Sequence, residues 1–273
     1  MRSALAGLIG CTFLLAAQTV LADLKPGQPT VLITGANRGI GLEFVQQISA
    51  RGWNVIATTR NPAEATELQA VAKDHPGVVV EKLDVTDHPA IDALVARYKD
   101  QPIDVLISNA AITPRLKTAF SGKAEMIDYD VARKSFDTNA LGAIKVASTF
   151  LPNVVASQQK KIVFISSKAG SFAEGLKGPI MFEYRASKAA LNMLVYAFSF
   201  ETKGKSVTAI ALSPGSVNTE PAPGEFGYGK KIRQPGAIEA SESVSAMLKV
   251  IDGLSATHNG QFLDYKDGSV IAW

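Results

Sequence analysis

The stretch Thr34-Gly35-Ala36-Asn37-Arg38-Gly39-Ile40-Gly41 decides the fold of this chain. It follows a short β-rich run at 30–34 and opens an amphipathic, helix-length segment at 40–51. Gly35 permits a tight turn, Gly39 lets backbone N–H groups approach a pyrophosphate at the helix N-terminus, and Gly41 allows the helix to pack closely on the strand. Three glycines alone are a weak signal. The strand before them, the helix after them and a second β-rich run about 20 residues on together mark a dinucleotide-binding βαβ unit.

Outward from this turn, the runs at 53–59, 78–83, 103–108, 161–166 and 206–212 are predicted as further strands, with a last short one at 260–263. Helices are predicted at 63–71, 89–98, 131–156, 182–202 and 241–254. This alternation predicts an α/β chain: a single-domain, Rossmann-type doubly wound parallel sheet over 23–273 with helices on both faces. No Ser/Gly-rich linker or internal repeat divides it. Two long irregular pieces, 112–130 and 218–237, follow the carboxyl ends of strands, the edge on which open sheets bind ligands. The second is rich in Gly and Pro and reads as a flap over a pocket or as an exposed loop.

With 273 residues, 47% of them hydrophobic and 19% charged, the chain is neither disordered nor coiled-coil material. Its net charge of +3 comes from scattered basic residues, which gives nucleic-acid binding no support. A single cysteine, Cys11, excludes an internal disulfide framework and a CxxC metal site. His75, His88 and His258 are dispersed without metal-ligand spacing, so no metal site is expected.

Met1-Arg2 precedes twenty uncharged residues, 3–22, ending in Val20-Leu21-Ala22. This predicts a signal peptide cut before Asp23 and an exported protein, periplasmic or secreted. The alternative is an uncleaved anchor at 1–22, which would be the chain's one membrane contact, with a cytoplasmic catalytic domain as a further option. Leu8-Ile9-Gly10-Cys11 also fits a lipoprotein box, but the apolar run before it is too short and continues beyond it.

At the end of the second strand an NAD site would place an acid against the ribose 2′-hydroxyl; this chain has Thr59-Arg60. Arg60 and Arg38 could flank a 2′-phosphate, so NADP(H) is preferred over NAD(H). Either arginine singly fits a solvated surface residue as well.

Tyr184-Arg185-Ala186-Ser187-Lys188 places Tyr184 and Lys188 on one helix face. A tyrosine hydroxyl needs a nearby cation to exchange protons at neutral pH, and Lys188 can supply it. This pair alone is a common accident. It gains weight from Ser166-Ser167 at the end of the fifth strand, where a hydroxyl can hold a substrate carbonyl oxygen. Strand alternation sends the two serines to opposite sides, and the Ser-Ser-x-x-Gly pattern ending at Gly170 favours Ser167.

These features together closely resemble the classical short-chain dehydrogenase/reductase family over 30–273. The residues that carry the likeness are the TGxxxGxG turn, Ser108-Asn109-Ala110-Ala111, Asn139, Ser167, Tyr184, Lys188 and Pro214-Gly215-Ser216-Val217-Asn218-Thr219. The ending, from Gly260-Gln261-Phe262 to Ile271-Ala272-Trp273, resembles the C-factor/sniffer-type carbonyl reductase branch. Two departures are Ser108, where the family more often has Asn, and the N-terminal segment.

The resemblance implies hydride transfer between NADP(H) and a small carbonyl or alcohol substrate. It assigns Asn139 to a water in a proton relay, Ser167 to substrate orientation and Tyr184 to acid/base work. Lys188 would bind the nicotinamide ribose and lower the tyrosine pKa. Cofactor contacts are expected from Gly35, Asn37, Arg38, Gly39, Ile40 and Gly41 in the turn, and from Arg60. Asp84 and Val85 would lie at the adenine, Asn109 and Ala110 after the fourth strand, and Pro214, Gly215, Val217 and Thr219 beside the nicotinamide. A homodimer or homotetramer through 131–156 and 182–202 is also implied. A competing reading is an NADP(H)-binding signalling protein of C-factor type with vestigial activity; another keeps the fold but reduces an imine or an activated C=C.

Overall fold

The computed structural model describes residues 24–113, 122–219 and 236–273. Strands β1 (Thr30–Thr34), β2 (Asn54–Thr59), β3 (Val78–Lys82), β4 (Val105–Ser108), β5 (Lys161–Ile165) and β6 (Thr208–Ser213) lie within two residues of the expected runs. Strands β7 (Val217–Asn218) and β8 (Ile238–Glu239) form a separate two-stranded parallel ladder, and β9 (Phe262–Asp264) completes the main sheet. That sheet has seven parallel strands in the order β3-β2-β1-β4-β5-β6-β9. The chain runs outward from β1 to β3 and then returns to β4 on the other side of β1. The crevice for a ligand therefore opens between β1 and β4.

Near-continuous apolar strands are what a sheet covered on both faces requires. Alternate residues feed two cores. Leu32, Ile56, Leu106, Ile162 and Ala209 face one, while Val31, Val55, Val105, Val163 and Ile210 face the other. Each buried aliphatic side chain contributes about 1.5–3 kcal/mol to holding the layers together.

The helices are α1 (Gly39–Ala50), α2 (Thr66–Asp74), α3 (His88–Arg97), α4 (Tyr129–Phe136), α5 (Ala143–Thr149), α6 (Leu151–Val155), α7 (Phe182–Lys203) and α8 (Ala240–Asp252). The expected single helix over 131–156 is corrected. Proline at 152 can neither donate to the preceding turn nor avoid its carbonyls, and the helix breaks at Phe150. Upstream, Asp137–Gly142 is a π-helical turn joining α4 to α5. It places Asn139 in the interior and packs Gly142 against the Val85 carbonyl, where a Cβ would stand 2.6 Å from that oxygen.

Residues 1–23, the middle of the first irregular piece (114–121) and most of the expected flap (220–235) lie outside the described residues. Among the described residues no helix is long and apolar enough to cross a membrane.

Candidate active site

The glycine turn joins β1 to α1 at the carboxyl edge. Gly35 and Gly39 both adopt positive φ, +66° and +56°, a conformation that side chains with a Cβ rarely take. A Cβ on Gly35 would stand 2.7 Å from the Ala110 Cα, and one on Gly41 would collide with the Gly35 carbonyl oxygen. Asn109 fastens the two edges of the crevice. Its Nδ2 donates to the carbonyls of Thr34 and Gly35, each at 3.0 Å, while the Thr34 hydroxyl oxygen accepts from the Asn109 and Ala110 N–H groups.

Helix α1 begins at Gly39 with Arg38 as its N-cap, in extended backbone and without a side-chain cap hydrogen bond. No acid stands in its first turn. Its leading N–H groups and positive dipole end therefore face the crevice, an arrangement that fits a pyrophosphate. Thr219 closes over this turn, its methyl 3.2 Å from where a Gly39 Cβ would be. Asn37 and Ile40 are half-buried there.

The other expected cofactor residues surround the same edge. Arg60 is exposed just past β2, whose Thr58 carbonyl accepts from the Ala36 N–H at 2.9 Å. Asp84 turns its carboxylate onto Thr86, accepting from its N–H and hydroxyl, and Val85 is buried behind Gly142. Pro214 accepts from the Ser243 hydroxyl at 2.6 Å; Gly215, at φ +79°, passes the Tyr265 ring too closely for a side chain. Val217 lies in β7.

A second cluster forms where β5 ends and α7 begins. Ser167 caps the short 3₁₀ turn Lys168–Gly170, accepting from the Ala169 N–H at 3.1 Å, and its hydroxyl lies near enough to Tyr184 to favour the phenolate. Ser166, by contrast, is buried and donates to Asn192 Oδ1 at 2.5 Å. The neighbouring serines thus serve different partners. Lys188, 3% exposed, donates to the Ile165 carbonyl at 2.9 Å, with its ammonium 5.8 Å from the centre of the Tyr184 ring. Lys168 pairs with Asp264 of β9 at 2.7 Å, tying the Ser167 turn to the sheet edge.

Burial pushes the Tyr184 hydroxyl above its ordinary value near 10, opposed in part by the Ser167 hydrogen bond. This direction is opposite to the lowering expected from Lys188. Burial also pulls Lys188 down to about 8, so desolvation weakens the cation meant to act on the tyrosine.

Asn139 reaches this cluster through an intermediary that sequence reasoning missed. Its amide donates to the Ile112 carbonyl and to Ser187 Oγ, both at 3.0 Å, and accepts from the Ile112 N–H at 2.8 Å. Ser187 in turn donates to the Tyr184 carbonyl at 2.8 Å. The π turn, which carries Asn139, was equally unforeseen; such turns gather at functional sites, but heptad-like patterning does not reveal them. Thr34, which orients both Asn109 and Ala110, had a signal in its place directly before the first glycine.

The family model "short chain dehydrogenase" matches residues 29–225. An uncharacterised oxidoreductase of Schizosaccharomyces pombe is 36% identical over 254 residues, covering 88% of this chain and 96% of its own. C-signal of Myxococcus xanthus is 35% identical over 173 residues, covering 63% of this chain and 93% of its own. Among solved structures, the NADPH-bound carbonyl reductase from chicken fatty liver superposes with a TM-score of 0.78 at 34% identity, covering 90% of this chain and 99% of that one. With a matched glycine turn, a Ser-Tyr-Lys cluster at the carboxyl edge and relatives over nearly its whole described length, the chain belongs to the short-chain dehydrogenase family of oxidoreductases.

Proposed function

We propose that this protein reduces a carbonyl group on a small molecule, using NADPH, with Tyr184 as proton donor. The observation that carries this reading is the cluster at the carboxyl edge, where Ser167 follows the strand that Lys188 ties to the Tyr184 helix and the Lys188 ammonium stands 5.8 Å from the Tyr184 ring. When bound, the reduced nicotinamide supplies the hydride to the carbonyl carbon. Ser167 holds the carbonyl oxygen, and Tyr184 gives its proton to that oxygen as the alcohol forms. Lys188 stands close enough to stabilise the resulting phenolate. Both Asn139 amide protons are already used, so its share in a proton relay passes through its main chain at the π turn and through Ser187.

The preference for NADP(H) over NAD(H) rests on Arg38 and Arg60 at the edge beside the glycine turn, and on the lack of an acid after Thr59. The name of the chicken reductase points the same way for that protein. The test is fluorescence titration of the protein with NADPH and NADH, then NADPH consumption at 340 nm against aldehydes, ketones and quinones. Tight NADPH binding with turnover supports the proposal. Binding without turnover on any carbonyl favours the second reading, a cofactor-binding signalling protein, which the similarity to C-signal motivates.

Two further expectations are part of this proposal. An exposed stripe at helical spacing on α7, namely Ala186, Met193, Ala197 and Phe200, supports pairing of two copies, which sedimentation velocity tests. Residues 1–22 direct export, or anchor the chain if retained; mass spectrometry of the mature N-terminus from each cell fraction decides between them.

A further inference from the structure

The residues that follow Ser167 are held in place from outside their own stretch. Lys168–Gly170 is a single 3₁₀ turn, too short to fix its orientation through internal hydrogen bonds. On one side it presses against α7, where a Cβ on Gly170 would stand 2.7 Å from the main-chain carbonyl carbon of Lys188. On the other side it is tied to the stretch that runs from the end of β9 to Trp273. Lys168 pairs with Asp264, and the Ser171 hydroxyl donates to the Ala272 carbonyl at 2.6 Å. The Trp273 main-chain oxygen accepts from the N–H groups of Phe172 at 3.2 Å and Ala173 at 3.4 Å. In return the Ala272 N–H donates to Glu174 Oε1 at 2.9 Å.

Trp273 anchors this stretch in turn. Its ring stacks on Phe262 of β9 with centres 5.5 Å apart and meets the edge of Tyr196 at 6.1 Å. Tyr196 belongs to α7, the helix that carries Tyr184 and Lys188. One residue therefore holds the sheet edge and that helix with its ring, and the residues after Ser167 with its main chain.

We propose that Trp273 is a positioning residue for Ser167: by fixing Ser171, Phe172 and Ala173 against β9 and α7, it holds the Ser167 hydroxyl where a substrate oxygen meets Tyr184. This role rests on the carbonyl reduction proposed above. Trp273 acts through the turn and not on the substrate. A misplacement of about 1 Å at a reacting group costs about 10²-fold in rate, so a loosened turn is expected to show in kcat.

Trp273→Ala, Trp273→Phe and Ser171→Ala test this, each alone and combined with Ser167→Ala. The measurements are kcat at saturating NADPH on a carbonyl that the parent reduces, NADPH affinity by fluorescence, and amide exchange at Phe172 and Ala173. Trp273→Ala is expected to lower kcat about tenfold or more while NADPH affinity stays within about twofold, because the glycine turn is untouched. Trp273→Phe keeps a ring on Phe262 and should recover most of the loss. Added to Ser167→Ala, Trp273→Ala should lower kcat little further, since its effect passes through that hydroxyl. Exchange at Phe172 and Ala173 should quicken in Trp273→Ala. Parental kcat in Trp273→Ala, full additivity with Ser167→Ala, or unchanged exchange at both amides overturns the proposal. Should Trp273→Ala fail to fold, Ser171→Ala, which removes the bond to Ala272, is judged by the same kcat, additivity and exchange criteria. A parent that reduces no carbonyl overturns the reaction and this role with it, an outcome read on the parent alone and so distinct from the others.

Discussion

Lys188 donates its hydrogen bond to the Ile165 carbonyl at 2.9 Å, which fastens the helix bearing Tyr184 to the strand that delivers Ser166 and Ser167. One buried ammonium thereby ties the helix that carries Tyr184 to the end of the strand that precedes Ser167. Burial of that ammonium among these groups is also why its pKa falls to about 8.

Burial raises the Tyr184 pKa from a value that already leaves it protonated at neutral pH, so removing its hydroxyl should remove the proposed proton source and little else. Tyr184→Phe is expected to lower kcat by about 10²–10⁴, the range of positioned acid catalysis. NADPH affinity, measured by fluorescence, should stay within a few-fold of the parent, because the glycine turn carries the pyrophosphate.

The two serines should separate cleanly. Ser167→Ala is expected to lower kcat about 10²-fold with little change in Tm, as for loss of one oxyanion donor. Ser166→Ala leaves Asn192 Oδ1 without its donor and should cost about 1–3 kcal/mol in urea unfolding, with kcat changed little. The reverse pattern would exchange their roles.

Lys188 has a folded pKa of about 8, below the ordinary lysine value of 10.5. Between these values the unfolded chain binds the proton and the folded chain does not, so stability attributable to this group rises with pH across that window. Below pH 8 the full cost of the buried charge is present. Lys188→Met should therefore unfold at higher urea than the parent at pH 7, and its advantage should shrink as pH approaches 10.

Gly41 has no room for a side chain against the Gly35 carbonyl. Gly41→Ala should force the turn open, costing about 1–3 kcal/mol of stability. NADPH affinity should drop with it, by about tenfold for each 1.4 kcal/mol lost at the pyrophosphate.

If Arg60 meets a 2′-phosphate, Arg60→Glu should weaken NADPH about tenfold or more, since hydrogen bonds to charged groups are worth about 1.5–3 kcal/mol. NADH affinity should hold or improve. Equal losses for both cofactors would mean that Arg60 is a surface residue.

Much of the architecture was legible in the residues because its causes are local. Val31-Leu32-Ile33 before Thr34-Gly35 is a buried strand running into a turn whatever surrounds it, and Gly39 and Gly41 follow at the spacing a helix start requires. The 131–156 segment misled because its apolar periodicity hides a π turn, which depends on Asn139 finding Ile112 and Ser187 across the crevice. Proline at 152 was the local sign of the second break, and it was available from the start.

The succession of the main strands, the glycine turn, and the candidates Ser167, Tyr184 and Lys188 came from the sequence by itself, with Asn139 added by the family resemblance. Tertiary structure alone decided that Ser166 serves Asn192, that burial raises the tyrosine and lowers the lysine, and that Trp273 returns to stack on Phe262. Backbone pattern is written by neighbours in the chain. Hydrogen-bond partners, desolvation and enclosed space are set by residues that meet only after folding, such as Ser166 with Asn192 and Phe172 with Trp273.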